Sequence, residues 1–572
     1  MPALPPPRRP GDAGRPHTPR CADPCEPTGA PPARRPGPPR TGVLGCLGCL
    51  GCLGLGVASY VVHAVVAAGA PRRPPPVRHP AYGPGVVARG VLGSVLVLVG
   101  SLGGATLPGS TPLLGLDLLR DVRGSEAGRM VALSVVMLGL GLLAAQWLVL
   151  CRRVASDPAP RRHDAVRLVR RATLLWSVPL LVAPPLFSRD GWSYAAQGML
   201  AHLGLSPYEH GPGVLHGPVV EAVDPRWMDT VTPYGPLPLW LGELGAGVTG
   251  NPWVLVVGHR LVAVVGLVLL AWAVPRLARW GGVDEALASA LVLASPLMLT
   301  NGVAGLHNDL LMVGLMAAAL VVAGERGAGA GGWWWGAVLG GLAAAVKAPG
   351  GLVCLAVVLV TLPVAASLGA RAVRTAQVAL VSVGTLVGLG LVTGLGSGWV
   401  GALGVPGTVS TPLSHTTLLG GLLDRLAALV GLGLPDAALV EVVRHVGTLA
   451  AVVVALLVLL RRPTGDRASG LASLAVVLGV LVLLSPVVHL WYLLWVTPFL
   501  ATQRLPWAAT TALVGGSVAL GLAAPLDSSL HGAYLAITLG CVLMAVLVPL
   551  LLLTRRSRER VRRITQAARL PV

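Results

Sequence analysis

From Val86 onward, apolar blocks of Leu, Val, Ala and Gly alternate with short arginine-bearing segments. Blocks this long and this continuous predict membrane-crossing helices rather than surface helices with one polar face. They fall near 86–107, 130–151, 172–187, 253–275, 286–301, 307–323, 333–349, 350–368, 376–395, 446–460, 470–487, 489–503, 507–523 and 533–553. Several are shorter than the ~20 residues a perpendicular span needs, so the expected count is about 13–14. The pattern divides the chain into an extension (1–80), a transmembrane domain (81–553) and a basic cytoplasmic tail (554–572). Residues 1–42 are rich in Pro, Arg and Gly with no apolar period, which predicts disorder. Residues 42–69 are apolar but Gly-rich. They read equally as an extra span, a late signal-like segment or an upstream extension of the true start.

The arginines orient the spans. Arg152, Arg153, Arg161, Arg162, Arg167, Arg170 and Arg171 follow the second span, so that loop is expected in the cytoplasm. Alternating from there places Arg276, Arg279, Arg326, Arg371, Arg374, Arg461, Arg462, Arg467, Arg504 and the tail inside as well. The two long polar loops, 188–252 after the third span and 396–445, fall on the extracytoplasmic side.

That outer side collects the ionisable and aromatic residues. Asp190 lies at the start of the first long loop; in a helix it shares a face with Tyr194 and Gln197. The same stretch reads equally as an aspartate capping an interfacial helix. Tyr208, Glu209, His210, Tyr234, His307, Asn308, Asp309, His415, His489, Asp527 and His531 reach the same side. Ionisable groups at a membrane are costly and usually face a cavity, although each has a structural reading as a cap, an interhelical hydrogen bond or an interface anchor. Arg260 lies about two helical turns below the outer end of its span. Lys347 is the single lysine of a chain whose other basic residues are all arginine. Both are candidates for holding a phosphate, with snorkelling to the interface as the alternative for Lys347.

Composition narrows the class. Hydrophobic residues make up 54% of the 572 and charged residues 12%, with 75 Gly and only 2 Phe, which favours helices over barrel strands. The net charge of +19 is explained by arginines in inter-span loops, so no nucleic acid is expected as partner. The eight cysteines, Cys46, Cys49 and Cys52 among them, lack partners at metal spacing, so no metal is expected. No phosphate-binding loop, dinucleotide fingerprint or nucleophile elbow is present, which removes support from ATP-driven transport and serine hydrolysis.

Five stretches carry a family resemblance: FSRDGWSYAAQGMLAHLGLSPYEHGP, TPYGPLPLW, GLHNDLLMVGLM, AVKAPGG and SPVVHLWYLLW. Over roughly residues 86 to 553 the chain resembles the actinobacterial polyprenol-phosphate-mannose-dependent α-1,6-mannosyltransferases of the GT-C superfamily. It departs from their pattern at Gly191-Trp192 and at Leu490, positions that bear on substrate identity. The resemblance implies an all-α polytopic membrane protein with a GT-C-like bundle and a large extracytoplasmic loop after the third span. It further implies a polyprenyl-phosphate sugar as donor, a mannan or lipoglycan-type glycan as acceptor, and membrane lipid as surroundings.

In that chemistry Asp190 is the expected base, and Lys347 and Arg260 are the phosphate partners. Arg189, Tyr194, Gln197, Tyr208, His210, Tyr234, His307, Asn308, Asp309, His489, Trp491 and Tyr492 shape the donor and sugar pocket. A monophosphate leaving group makes a divalent metal non-obligatory. Displacement inverts the anomeric carbon, giving an α-linked product from a β-linked donor. Trp192, Trp227 and Trp240 read either as sugar-stacking rings or as interface anchors. Two alternatives remain at this stage. One is a GT-C transferase for another sugar such as arabinose; the other is a secondary transporter or flippase for lipid-linked sugars, which predicts inverted repeats and midplane charges.

Overall fold

A computed structural model describes residues 85–155, 162–186, 188–326, 331–409, 411, 413–524, 559 and 562. The apolar stretch 42–69, the span expected at 533–553, Asp527, His531 and most of the basic tail lie outside the described residues. The first half of the bundle contains α1 (Gly85–Gly104), α2 (Glu126–Ala155), α3 (Arg162–Leu181), α4 (Asp190–His202), α5 (Pro236–Ala246), α6 (Pro252–Gly281) and α7 (Glu285–Leu293). After it come α8 (Asp309–Arg326), α9 (Gly332–Val346), α10 (Val353–Thr361), α11 (Leu368–Val392), α12 (His415–Leu429), α13 (Ala438–Arg461), α14 (Arg467–Leu484) and α15 (Trp507–Ala523).

The protein is an all-helical, multi-pass membrane protein. Among the described residues, α1, α2, α6, α11, α13 and α14 are each long and apolar enough to cross a membrane, six in all. The bent pair formed by α7 and Met298–Ala304 brings the number to as many as seven. Other expected spans are present as shorter apolar helices: α9, Ala348–Thr361, Leu490–Ala501 and α15. Their brevity has local causes. Pro296, Pro349 and Pro498 each remove a backbone donor, and the chain answers with tighter or wider turns.

Helix ends follow capping chemistry. Asn251 accepts from the amides of Trp253 and Val254 at the start of α6, with Pro252 in the first turn. The same helix stops at Gly282, whose φ of 65° favours a residue without a side chain. At the arginine-rich end, Arg371 donates to the carbonyls of Leu459 and Arg462, and Arg504 to that of Gly282. Arg276 pairs with Glu325 at 3.5 Å. Arg276, Arg371 and Arg504, which the sequence assigns to one side, therefore sit at one end of the bundle. α6 and α8 both run from the Asp190 end toward them.

The Asp190 end is where regular helix gives way. α7 ends at Leu293, the chain bends by 55°, and Met298–Ala304 continues as a wide π-turn. Leu306 then adopts a φ of 55°, left-handed geometry that is costly for a leucine, before α8 begins at Asp309. Irregular backbone at membrane depth is tolerated only where it lines a cavity or is buried in protein.

The first long loop is held by the packing of α4 on α5. A Cβ on Gly198 would come within 2.6 Å of the Gly242 carbonyl carbon, so the two backbones touch directly. Gly198→Val is expected to force them apart and lower stability by about 2 kcal/mol. The check is a thermal unfolding scan in detergent: a lower midpoint supports the contact, and an unchanged one removes it.

Candidate active site

Asp190 is the first residue of α4, preceded by Arg189, whose side chain makes no cap. The carboxylate turns instead toward neighbouring rings. The Tyr194 hydroxyl donates to its Oδ2 at 3.4 Å, and His307 Nδ1 lies 3.4 Å from the same oxygen, short of hydrogen-bond geometry. Tyr194 and Tyr234 hydroxyls are 2.9 Å apart. A phenol has one proton, so Tyr194 spending its own on Asp190 makes Tyr234 the donor to Tyr194. Burial pushes the Asp190 carboxyl up, but the nearby imidazoles of His307 and His489 and the Ser188 contact outweigh it. The carboxyl is held below its ordinary range and is ionised at neutral pH.

Lys347 stands where α9 ends. Its backbone is extended, with φ −158° and ψ 136°, and Ala348-Pro349 follow. The Gly235 amide donates to the carbonyl of Val346 at 3.0 Å, and a Cβ on Gly235 would collide with Ala345. That close approach brings Tyr234 against Lys347. The ammonium donates to Asp309 Oδ1 at 3.0 Å and lies 4.5 Å from the Tyr492 ring centre, 5.2 Å from Trp495 and 5.5 Å from Tyr234. Trp495 Nε1 donates to the same Oδ1 at 2.7 Å, while Asp309 Oδ2 is buried without a partner among the described residues. The cation is thus compensated by one buried carboxylate and three π faces.

The third wall comes from the SPVVHLWYLLW stretch, which forms a 3-10 turn over Leu490–Trp495. In a 3-10 turn residues three apart eclipse, and Tyr492 and Trp495 stack at 4.1 Å. Trp491 lies between two imidazoles, His307 at 3.7 Å and His489 at 4.3 Å, nearly parallel to both. His307 is fully buried, and neither ring nitrogen has a hydrogen-bond partner among the described residues.

These walls enclose a cavity of about 80 Å³. Asp190, Tyr194, Gln197, Tyr234, Lys347, His489, Trp491 and Tyr492 line it, so eight positions expected from the sequence meet in one place. His307 and Asp309 stand behind that lining and hold Asp190 and Lys347. Asn308 is buried beside them without lining the cavity. Arg189, also buried, and His210 do not reach the cavity. Tyr208 packs against Gly398 of the second long loop.

Arg260 has a different place from the one expected. Its guanidinium is buried and donates to the carbonyls of Leu181, Ala183 and Ala304, closing the end of α3 and of the π-turn. It does not line the cavity. Ser193, Trp227, Thr230, Val231, Pro233, Val405, Val409 and Val487 also line it. Trp495 had a legible signal, a third aromatic three residues beyond Tyr492, whereas valines in a loop carry none.

Two family models match the chain: "Alpha-(1->6)-mannopyranosyltransferase, N-terminal domain" over residues 87–363 and "MptB C-terminal domain" over 416–555. A probable alpha-(1->6)-mannopyranosyltransferase of Mycolicibacterium smegmatis is 33% identical over 467 residues, covering 76% of this chain and 80% of that protein. The chain belongs to the alpha-(1->6)-mannopyranosyltransferase family. A second relative of that activity name, from Mycobacterium tuberculosis, is 32% identical over 522 residues, covering 82% of this chain and 87% of its own. Alpha-(1->6)-mannopyranosyltransferase B of Corynebacterium glutamicum is 28% identical over 435 residues, 71% of each chain. No solved structure matches. The N-terminal family model includes Asp190, the His307–Asp309 turn and Lys347, while His489 to Trp495 fall in the C-terminal one.

The placement of Arg260 separates a structural from a substrate role in this mannopyranosyltransferase-family chain. Arg260→Met is expected to strip buried carbonyls of their donors and cost about 3 kcal/mol of stability. Thermal unfolding should register the loss, while folded protein at low temperature keeps its donor KM. A raised donor KM at unchanged stability would return Arg260 to the binding site.

Proposed function

We propose that this chain transfers mannose from a polyprenyl-phosphate-mannose donor to a mannan or lipoglycan acceptor, at the extracytoplasmic face of the cytoplasmic membrane. The single observation that carries this reading is a junction. A groove of about 990 Å³ runs between α10, α11, α13 and α14 and shares Pro233, Lys347 and Tyr492 with the Asp190 cavity. Leu355, Val358, Val378, Ala451, Ala455 and Leu481 make it apolar. Along α13 it extends from Glu441 to Leu456, about 22 Å at helical rise, a large part of a ~30 Å hydrocarbon layer. Val452 and Leu456 line it while 51% exposed each, so it is open on the flank of the bundle. A prenyl chain fits the groove, its phosphate falls at Lys347, and the sugar lies in the cavity beside Asp190.

The chemistry follows from those positions. The acceptor hydroxyl attacks the anomeric carbon from the face opposite the phosphate and gives its proton to Asp190. The bond between that carbon and the phosphate oxygen breaks, and its electron pair leaves with the polyprenyl phosphate, beside the Lys347 ammonium. One displacement inverts the centre and yields an α linkage from a β-linked donor. A monophosphate leaving group asks for one cation, so the reading calls for no obligatory metal. The extracytoplasmic side follows from the arginines at the opposite end of the bundle.

Asp190→Asn is expected to lower transfer by about 10²–10⁴-fold in membranes supplied with a defined polyprenyl-phosphate-mannose donor, with little change in donor KM. Wild-type transfer with no loss in the variant would remove Asp190 as base. Lys347→Met should raise donor KM and lower kcat together, because the cation serves both the bound and the departing phosphate; an unaltered donor KM sinks that assignment.

A further inference from the structure

The cavity has two chemically unlike parts. One holds every charged and titratable side chain: Asp190, Tyr194, Tyr234, Lys347, His489 and Tyr492. The other is formed by the two long loops, with Trp227, Thr230 and Val231 from the first and Val405 and Val409 from the second. None of these five carries a charge, although the Arg226 guanidinium, paired with Asp224, lies 5.9 Å from the Trp227 ring centre and Arg444 donates to the Val409 carbonyl. Among the described residues, the groove and the cavity share Pro233, Lys347 and Tyr492, which marks the lipid-phosphate end. The loop-borne part is the remaining side from which a second substrate can reach Asp190.

Trp227 is the one aromatic ring there, and it is firmly mounted. It ends a 3-10 turn, Pro225–Trp227, capped by Asp224, which is itself 4% exposed. The Asp224 carboxylate accepts from the Arg226 amide at 3.0 Å and takes Nε and Nη2 of Arg226 at 3.1 and 2.9 Å. The Trp227 amide donates to the Asp224 carbonyl at 2.8 Å, and the Gly213 amide to the carbonyl of Met228 at 2.7 Å. Trp227 itself is half-buried. Trp192, by contrast, is fully buried in a T-shaped contact with Trp253 at 5.6 Å, and Trp240 does not line the cavity. Of the tryptophans expected to stack on sugar, Trp227 alone is placed to do so.

We propose that Trp227 is the platform of the acceptor subsite, and that the acceptor it takes is a hexopyranoside seated on the indole face. This deepens the transferase reading and rests on it. An indole presents a flat apolar face that matches the C–H face of a pyranose, at modest entropic cost. The Thr230 hydroxyl donates to the carbonyl of Arg226 at 3.0 Å and keeps lone pairs to accept from a sugar hydroxyl. The acceptor hydroxyl then points at Asp190, which receives its proton as the oxygen bonds to the anomeric carbon and the phosphate departs.

The test uses the full chain in nanodiscs, a β-mannosyl polyprenyl phosphate donor and a neutral α-1,6-linked mannose disaccharide glycoside as acceptor. Trp227→Ala should raise acceptor KM about tenfold with donor KM unchanged, Trp227→Phe should recover part of it, and Thr230→Val should raise it a few-fold. Saturation-transfer NMR of the disaccharide with donor-free protein reads the subsite independently: a signal in wild type that is lost in Trp227→Ala supports it. Disaccharide binding without transfer from this donor would overturn the donor assignment and leave the subsite standing. Wild-type transfer with an unmoved acceptor KM in Trp227→Ala would overturn the subsite and leave the transferase reading standing. Absence of disaccharide binding, or equal loss for donor and acceptor with a lowered unfolding midpoint, also overturns it and makes Trp227 a packing residue.

Discussion

The buried ion pair between Lys347 and Asp309 is the constraint on which the rest of the Asp190 end depends. Each charge alone would be prohibitive at 7% and 0% exposure. Together, with the Trp495 indole donating to the same carboxylate oxygen, they join the end of α9, the start of α8 and the 3-10 turn. The Tyr234 loop is drawn to the same point through Gly235 and Val346. Segments that could not persist as irregular backbone among lipid chains persist because they meet at one compensated charge.

The pair also sets the electrostatics of the cavity. Because Asp309 answers Lys347, Asp190 is left to its own partners, the Tyr194 hydroxyl and the imidazole of His307. Two neighbouring carboxylates without cations would otherwise repel and push one proton back on. Separate partners keep Asp190 ionised and leave the ammonium at the junction of cavity and groove, where an anion can share it. The stack of His307, Trp491 and His489 carries this arrangement across to the C-terminal half of the chain.

Much of this is legible in the pattern of residues along the chain. Continuous apolar blocks mark the helices, and the one-sided arginines mark their alternation, since both report on the cost of charge and bare backbone in lipid. The polar residues at helix mouths converge for the same reason. What hydropathy does not show is how the backbone turns, because it counts apolar side chains and not hydrogen bonds. Thus 286–301 is a bent helix and a π-turn after Pro296, and 489–503 opens as a 3-10 turn. Pairings between distant residues are equally hidden. Nothing in the local pattern says that Asp309 answers Lys347, or that Arg260 spends its donors on backbone carbonyls rather than on a ligand.

The open flank of the groove at Val452 and Leu456 has a consequence for how any occupant must be counted. A guest entering there arrives by diffusion within a sheet, so its supply is set by molecules per unit area of bilayer rather than per volume of solution. Saturation of such a groove tracks the mole fraction of whatever guest the bilayer supplies. Diluting the surrounding bilayer with inert lipid should therefore resemble competition, though nothing competes.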